Sequence, residues 1–221
     1  MKSTNYLNPS LFYNEFLDWL VRLDEFHDDD IPPPMSANQF YFEERIGYGS
    51  GLRVTERLNL IPLDFDLDHR ILTVRNPKSN KGGVQKTTIL PYDVKPIERF
   101  ISKFKENERM FPVTRSTIWR YAKNAGRLGG LNIFEAKDEK TINGIWTHLM
   151  RSSCAKMYIS LGASESLVAR KLRHSASNVT QRYTKVDLQA VLDFEEIHLQ
   201  KCLAVPTLEK REIQTIEVMN Q

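Results

Sequence analysis

Residues of four types in this chain, arginine, histidine, lysine and tyrosine, could act together on a phosphodiester. Arg53 follows Gly51-Leu52 at the start of an otherwise apolar stretch. His148 and Arg151 stand three apart, so on a helix they share a face. His174 follows Lys171-Leu172-Arg173, and Tyr183 comes nine residues later. Lys78 and Lys81 sit in a polar loop, Asn76-Pro77-Lys78-Ser79-Asn80-Lys81-Gly82-Gly83. An arginine keeps its charge and can fork two hydrogen bonds onto a phosphate. Two of them could neutralise the charge that grows on a pentacoordinate phosphorus. Histidine can donate to phosphate oxygens or exchange a proton near neutral pH. A tyrosine hydroxyl, with an ordinary pKa of about 10, is a nucleophile only when positioned and electrostatically assisted. A lysine on a hairpin could protonate a leaving alkoxide.

Each residue alone also has an ordinary structural reading. An arginine in a helix commonly makes a surface ion pair, and a tyrosine on an amphipathic helix commonly packs in the core with its hydroxyl satisfied. The charge distribution adds weight to the chemical reading. The chain has 221 residues and a net charge of +3. Residues 1–45 hold 3 Lys/Arg against 9 Asp/Glu, a net of −6, and residues 186–221 hold 3 against 7, a net of −4. Residues 46–185 hold 25 against 12, a net of +13. A basic centre between acidic ends suits a polyanion such as nucleic acid, and equally describes a solvated basic surface.

The elements that must position these residues are mainly helical. Phe12, Phe16, Trp19, Leu20 and Leu23 fall at helical spacing and predict a helix over 8–26. Asp28 to Pro34 reads as a linker, because three prolines forbid regular structure. A helix is expected over 37–47, a turn at Gly47-Tyr48-Gly49-Ser50-Gly51, and a second helix from Leu52 to Leu60. Ile71 to Arg75 and Thr87 to Leu90 read as strands of a small antiparallel sheet with a basic hairpin loop between them. Further helices are expected over 93–106, 115–126, 148–161, 165–172, 177–184 and 187–200. The class is α+β, mainly helical. The expected organisation is a short helical extension and linker over 1–35, a main domain over 36–200 and a polar tail over 201–221. No apolar run approaches the roughly 20 residues that span a bilayer, and Met1 to Asn5 shows no secretory h-region. Cys154 and Cys202 read as two reduced thiols of a cytoplasmic protein, too few to build a metal cluster.

Four segments resemble the tyrosine recombinases, the phage integrase family. Tyr48-Gly49-Ser50-Gly51-Leu52-Arg53-Val54-Thr55-Glu56-Arg57-Leu58 is similar to the family's first arginine box. Val74 to Lys81, running on to Leu90-Pro91, resembles its lysine hairpin. Thr147-His148-Leu149-Met150-Arg151 resembles its H-x-x-R box, and Leu172-Arg173-His174-Ser175 through Thr180-Gln181-Arg182-Tyr183 resembles its histidine and tyrosine box. The boxes keep the family's order and cover about residues 38–190.

The resemblance implies a site-specific DNA recombinase of integrase or resolvase type. It makes Arg53 and Arg151 the phosphate clamp, His148 the partner in proton transfer, and His174 a donor to a non-bridging oxygen. Lys78 is then the general acid, with Lys81 and Lys86 as nearby competitors, and Tyr183 the nucleophile. Glu56 reads as a buried structural partner. Lys81, Lys86, Arg120, Lys123 and Arg173 are candidate DNA contacts, and Arg173 stands where the family commonly has glycine. The implied chemistry keeps the phosphodiester energy in a phosphotyrosyl bond, so no cofactor or metal is expected. The implied partners are double-stranded DNA, further copies of the chain on that DNA, and an accessory or full-length recombinase. The implied location is the nucleoid. The family's N-terminal helical domain runs to about a hundred residues, against some 35 acidic-rich residues here, which suggests a minimal or truncated form. Relaxation of DNA in the manner of a type IB topoisomerase, and a catalytically silent DNA-binding remnant, are the competing readings.

Overall fold

A computed structural model describes residues 13–30, 33–75, 83–128, 139–174 and 187–199. Helix α1 (Tyr13–Asp24) turns Phe16, Trp19, Leu20 and Leu23 inward. The Phe16 ring stacks on Tyr48 of α2 (Ala37–Ser50) at a centroid distance of 3.6 Å. The first helix therefore packs into the same core as the elements that follow it. Helix α2 starts at a reciprocal cap: Ser36 Oγ accepts from the Gln39 amide, and Gln39 Oε1 accepts from the Ser36 amide.

The glycine cluster expected as a turn is helical through Ser50. The glycines serve close packing instead. A Cβ on Gly47 would lie 2.3 Å from Arg57 Nη1, and one on Gly49 would lie 2.7 Å from Asp93 Oδ2. Only Gly51 turns the chain, with φ +60 in the left-handed region that glycine adopts without steric cost. The helix expected from Leu52 to Leu60 is the single turn α3 (Val54–Arg57). Its end tightens through i→i−3 bonds, Asn59 to Glu56 and Leu60 to Arg57, and Pro62 then opens a 3-10 turn.

Strands β1 (Phe65–Asp66), β2 (Ile71–Val74) and β3 (Gln85–Thr88) form an antiparallel sheet in the order β1-β2-β3. Leu72 pairs with Thr87 and Val74 with Gln85, so β3 begins two residues earlier than the sequence pattern suggests. Thr87 Oγ1 reaches the carbonyl oxygens of both Ser50 and Lys171. That one hydroxyl ties the sheet to the two loops described below.

The remaining elements are helical: α4 (Val94–Ile101), α5 (Arg115–Leu128), α6 (Glu139–Ser160), α7 (Glu165–Lys171) and α8 (Leu188–Leu199). Helix α6 begins nine residues before the expected start at 148. It packs against α2, and α8 packs on α7 and β3. The chain is thus mainly helical with one small antiparallel sheet. The expected helix at 177–184 and the tail over 201–221 lie outside the described residues. Among the described residues no helix is long and apolar enough to cross a membrane.

Candidate active site: arginines gathered around Gly51

The site is built where α2 ends, α3 begins and α7 gives way to a loop. Arg53 is the N-cap residue of α3. Its amide donates to Glu56 Oε2 at 2.7 Å, and its Nη1 donates to Glu56 Oε1 at 2.9 Å. The Arg53 side chain keeps 30% of its surface exposed, against 3% for Glu56. Arg53 thus presents a charged fork to solvent from a fixed base.

Arg151 reaches the same place from α6. It is buried, and it donates from Nη1 to the Gly51 carbonyl at 2.5 Å and from Nη2 to the Leu172 carbonyl at 2.6 Å. One guanidinium therefore holds the turn after α2 and the turn after α7. Each terminal nitrogen keeps a second hydrogen for another acceptor. A Cβ on Gly51 would meet Leu172 Cδ2 at 2.5 Å and Cys154 Sγ at 3.2 Å, so the three segments are in van der Waals contact. Cys154 is a free, buried thiol, which burial raises to about 11.

His174 stands three residues past the end of α7, its amide donating to the Ala169 carbonyl and its side chain exposed at the surface. Desolvation, then the fields of Arg151, Arg53 and Arg173, hold its imidazole below the usual histidine range. Desolvation also pulls Arg151 down to about 10, helped by Arg53 and Arg173, which leaves it charged at neutral pH. These mutual effects place the three arginines and His174 within electrostatic reach of one another. One carboxylate, Glu56, offsets three guanidinium charges, so the cluster retains a positive field suited to a phosphate.

Arg173 differs from the expectation of a surface DNA contact. Its side chain is only 1% exposed and turns inward to Glu56, with Nη2 2.6 Å from Oε2. Its backbone is left-handed, φ +57, and among the described residues the Glu56 carboxylate is the anion that compensates the burial of its charge. Lys86 is exposed on β3, and Arg120 and Lys123 are exposed on α5, with the Lys123 ammonium 5.4 Å from the Trp119 ring centroid. His148 lies on α6, three residues before Arg151. Lys78, Lys81 and Tyr183 lie outside the described residues.

A family model described as "Phage integrase family" matches residues 44–190, two thirds of the chain and all of this cluster. The chain belongs to the phage integrase family. Among relatives of this family, the tyrosine recombinase XerA of Pyrococcus furiosus is 29% identical over 153 residues, covering 63% of this chain and 47% of that protein. XerC of Pediococcus pentosaceus is 30% identical over 147 residues, with 63% and 47% covered. The chain spans about half the length of the curated relatives it matches. Two solved structures share the fold. A XerA recombinase gives a TM-score of 0.56 at 20% identity, covering 86% of this chain and 65% of that one. A Tn1549 transposon integrase in complex with a circular intermediate DNA gives 0.57 at 17% identity, with 89% and 68% covered.

The Glu56–Arg173 ion pair was not legible in the sequence as a pair. The signal was present in half: an arginine directly before His174, where the family pattern commonly has glycine.

Proposed function

We propose that this phage integrase family chain is a site-specific DNA recombinase that cleaves and rejoins double-stranded DNA through Tyr183. The observation that carries the reading is the convergence of Arg53, Arg151 and His174 around Gly51 and Leu172, with a net positive charge at their centre. XerA and XerC, relatives by sequence, carry the name tyrosine recombinase, and a XerH recombinase of the same fold is described bound to its difH substrate.

In the proposed reaction the Tyr183 oxygen attacks the scissile phosphorus, and its proton passes out with the help of His148. Arg53 and Arg151 hold the non-bridging oxygens and balance the added negative charge of the transition state. His174 donates to one of those oxygens. The bond from phosphorus to the 5′-oxygen breaks, and Lys78, or its neighbour Lys81, supplies the proton to that oxygen. The products are a 3′-phosphotyrosyl bond and a free 5′-hydroxyl. A 5′-hydroxyl of a partner duplex then attacks the phosphotyrosine and restores the tyrosine. Strand exchange needs two duplexes, so self-association on DNA, or pairing with another recombinase, belongs to the proposal. So does action at the nucleoid.

A nicked suicide duplex tests the reading, because the small 5′ product diffuses away and traps the covalent intermediate. The expected result is a protein–DNA band stable to denaturation that Tyr183→Phe abolishes. A band that persists in Tyr183→Phe would move the nucleophile to another residue.

A further inference from the structure

Resting on the recombinase reading above, we propose that Arg173 is a positioning residue for strand cleavage, acting through Glu56 to fix the Arg53 guanidinium.

The backbone is the first observation. Arg173 holds φ +57, a left-handed conformation that is strained for a residue with a side chain and free of strain for glycine. Simple loop geometry would therefore favour glycine. The second observation is burial. The side chain folds inward from the surface loop, and its Nε has no hydrogen-bond partner among the described residues. Its other contacts are Nη1 to the Ser50 carbonyl at 3.4 Å and Nη2 to Glu56. A strained, desolvated arginine needs a compensating interaction, and Glu56 supplies it.

The division of Glu56 gives that interaction a function. A carboxylate and an arginine left to themselves pair fork to fork, with two parallel hydrogen bonds. Here the Arg53 side chain receives only Oε1, while Oε2 serves the Arg53 amide and Arg173 Nη2. Arg173 thus prevents Glu56 from covering the whole Arg53 fork. It also keeps Glu56 ionised. Burial pushes Glu56 up, but Arg173, then the Arg53 amide and guanidinium, outweigh burial and hold it below the usual carboxylate range. The remaining Arg53 hydrogens stay directed at solvent, where a phosphate would dock. Because Arg173 directly precedes His174, the same ion pair sets the distance between the His174 loop and Arg53.

Two measurements test this on the full chain. Arg53 is followed by its side-chain Nε–Hε NMR signal, assigned by its disappearance in Arg53→Lys. A sharp signal is expected in the wild type and a shifted or broadened one in Arg173→Gln and in Arg173→Gly. The glycine variant relaxes the backbone, so it keeps the test open if Arg173→Gln folds poorly. Single-turnover cleavage of the suicide duplex is expected to fall about 10- to 100-fold in both, with DNA affinity changed far less. Arg173→Lys, which keeps a charge on Glu56, recovers part of the rate. The losses in Arg173→Gln and Glu56→Gln are expected to be non-additive in the double variant. An unchanged Arg53 signal, or wild-type cleavage in Arg173→Gly, overturns the inference. A wild-type chain that forms no covalent product on any family-type site overturns the recombinase reading instead, and the Arg53 signal still decides the role of Arg173.

Discussion

Arg151, on α6, donates to the carbonyl oxygen of Gly51, a hundred residues earlier in the chain, at 2.5 Å. Through its other terminal nitrogen it holds Leu172. A residue read from sequence as a phosphate ligand is also a structural tie. The two roles are compatible because a guanidinium has five donor hydrogens and these bonds use two. In the proposed reaction these backbone bonds would set the direction of the fork before substrate arrives, which would lower the reorganisation needed at the moment of reaction.

Arg151→Lys separates those two roles. Lysine keeps the charge but lacks the planar fork, so it cannot hold both carbonyls and also grip a phosphate. Leaving one buried carbonyl without a donor is expected to cost about 1–3 kcal/mol of stability. Loss of a pre-aimed phosphate donor is expected to slow single-turnover cleavage by about 10²–10³-fold. Urea denaturation and suicide-duplex cleavage, run on the same preparation, check both. A variant as stable as wild type would show that the carbonyl bonds are dispensable.

What the sequence disclosed depends on how local each relationship is. The H-x-x-R spacing of His148 and Arg151 is a helix repeat, and it was readable because three residues make nearly one turn. The strand Ile71–Val74 was readable because Leu72 and Val74 alternate with half-buried neighbours. The glycine cluster at 47–51 misled, because a glycine signals either a turn or a close approach, and only the position of Arg57 and Asp93 decides between them. The inward turn of Arg173 was hidden for the same reason: its partner Glu56 is 117 residues away in the chain. The family boxes named Arg53 and Arg151, but not the backbone carbonyls that aim Arg151.

The middle of α2 carries a pH-sensitive cluster. Glu43 and Glu44 are both buried, and both face one cation, Arg57, with Nη1 3.1 Å from Glu43 and 3.7 Å from Glu44. Burial raises Glu43, Arg57 opposes it, and the charge of Glu44 raises it further, to about 8. The folded chain therefore holds a proton that the unfolded chain releases near pH 4.5. A raised carboxyl pKa means that stability falls as pH rises across this window and levels off above about 8. Glu43→Gln removes one of the two buried carboxyls that burial raises, so the stability of the variant is expected to decline less between mildly acidic and mildly alkaline buffer. Denaturant midpoints at both pH values check this, and parallel pH slopes for the two proteins would place the proton elsewhere.

Lys171 and Glu195 form the deepest ion pair that bears on the site. Lys171 Nζ lies 2.8 Å from Glu195 Oε1, with 1% and 0% of the side chains exposed. Tyr158 and Thr88 donate their hydroxyls to the same carboxylate, and Lys171 Nζ also donates to Thr88 Oγ1 at 2.6 Å. Glu195 lies on α8, and Lys171 is the last residue of α7, two before Arg173. The pair thus fastens α8 beneath the loop that carries Arg173 and His174. Glu195→Leu strands a buried ammonium and is expected to destabilise the fold by about 3–5 kcal/mol. Pairing it with Lys171→Met removes both charges, and most of that loss should return. If the His174 loop depends on this fastening, cleavage is slowed in Glu195→Leu and recovers along with stability in the double variant. Urea unfolding of the two single variants and the double variant, with suicide-duplex rates for each, measures both couplings, and strictly additive losses would mean that the two charges act independently.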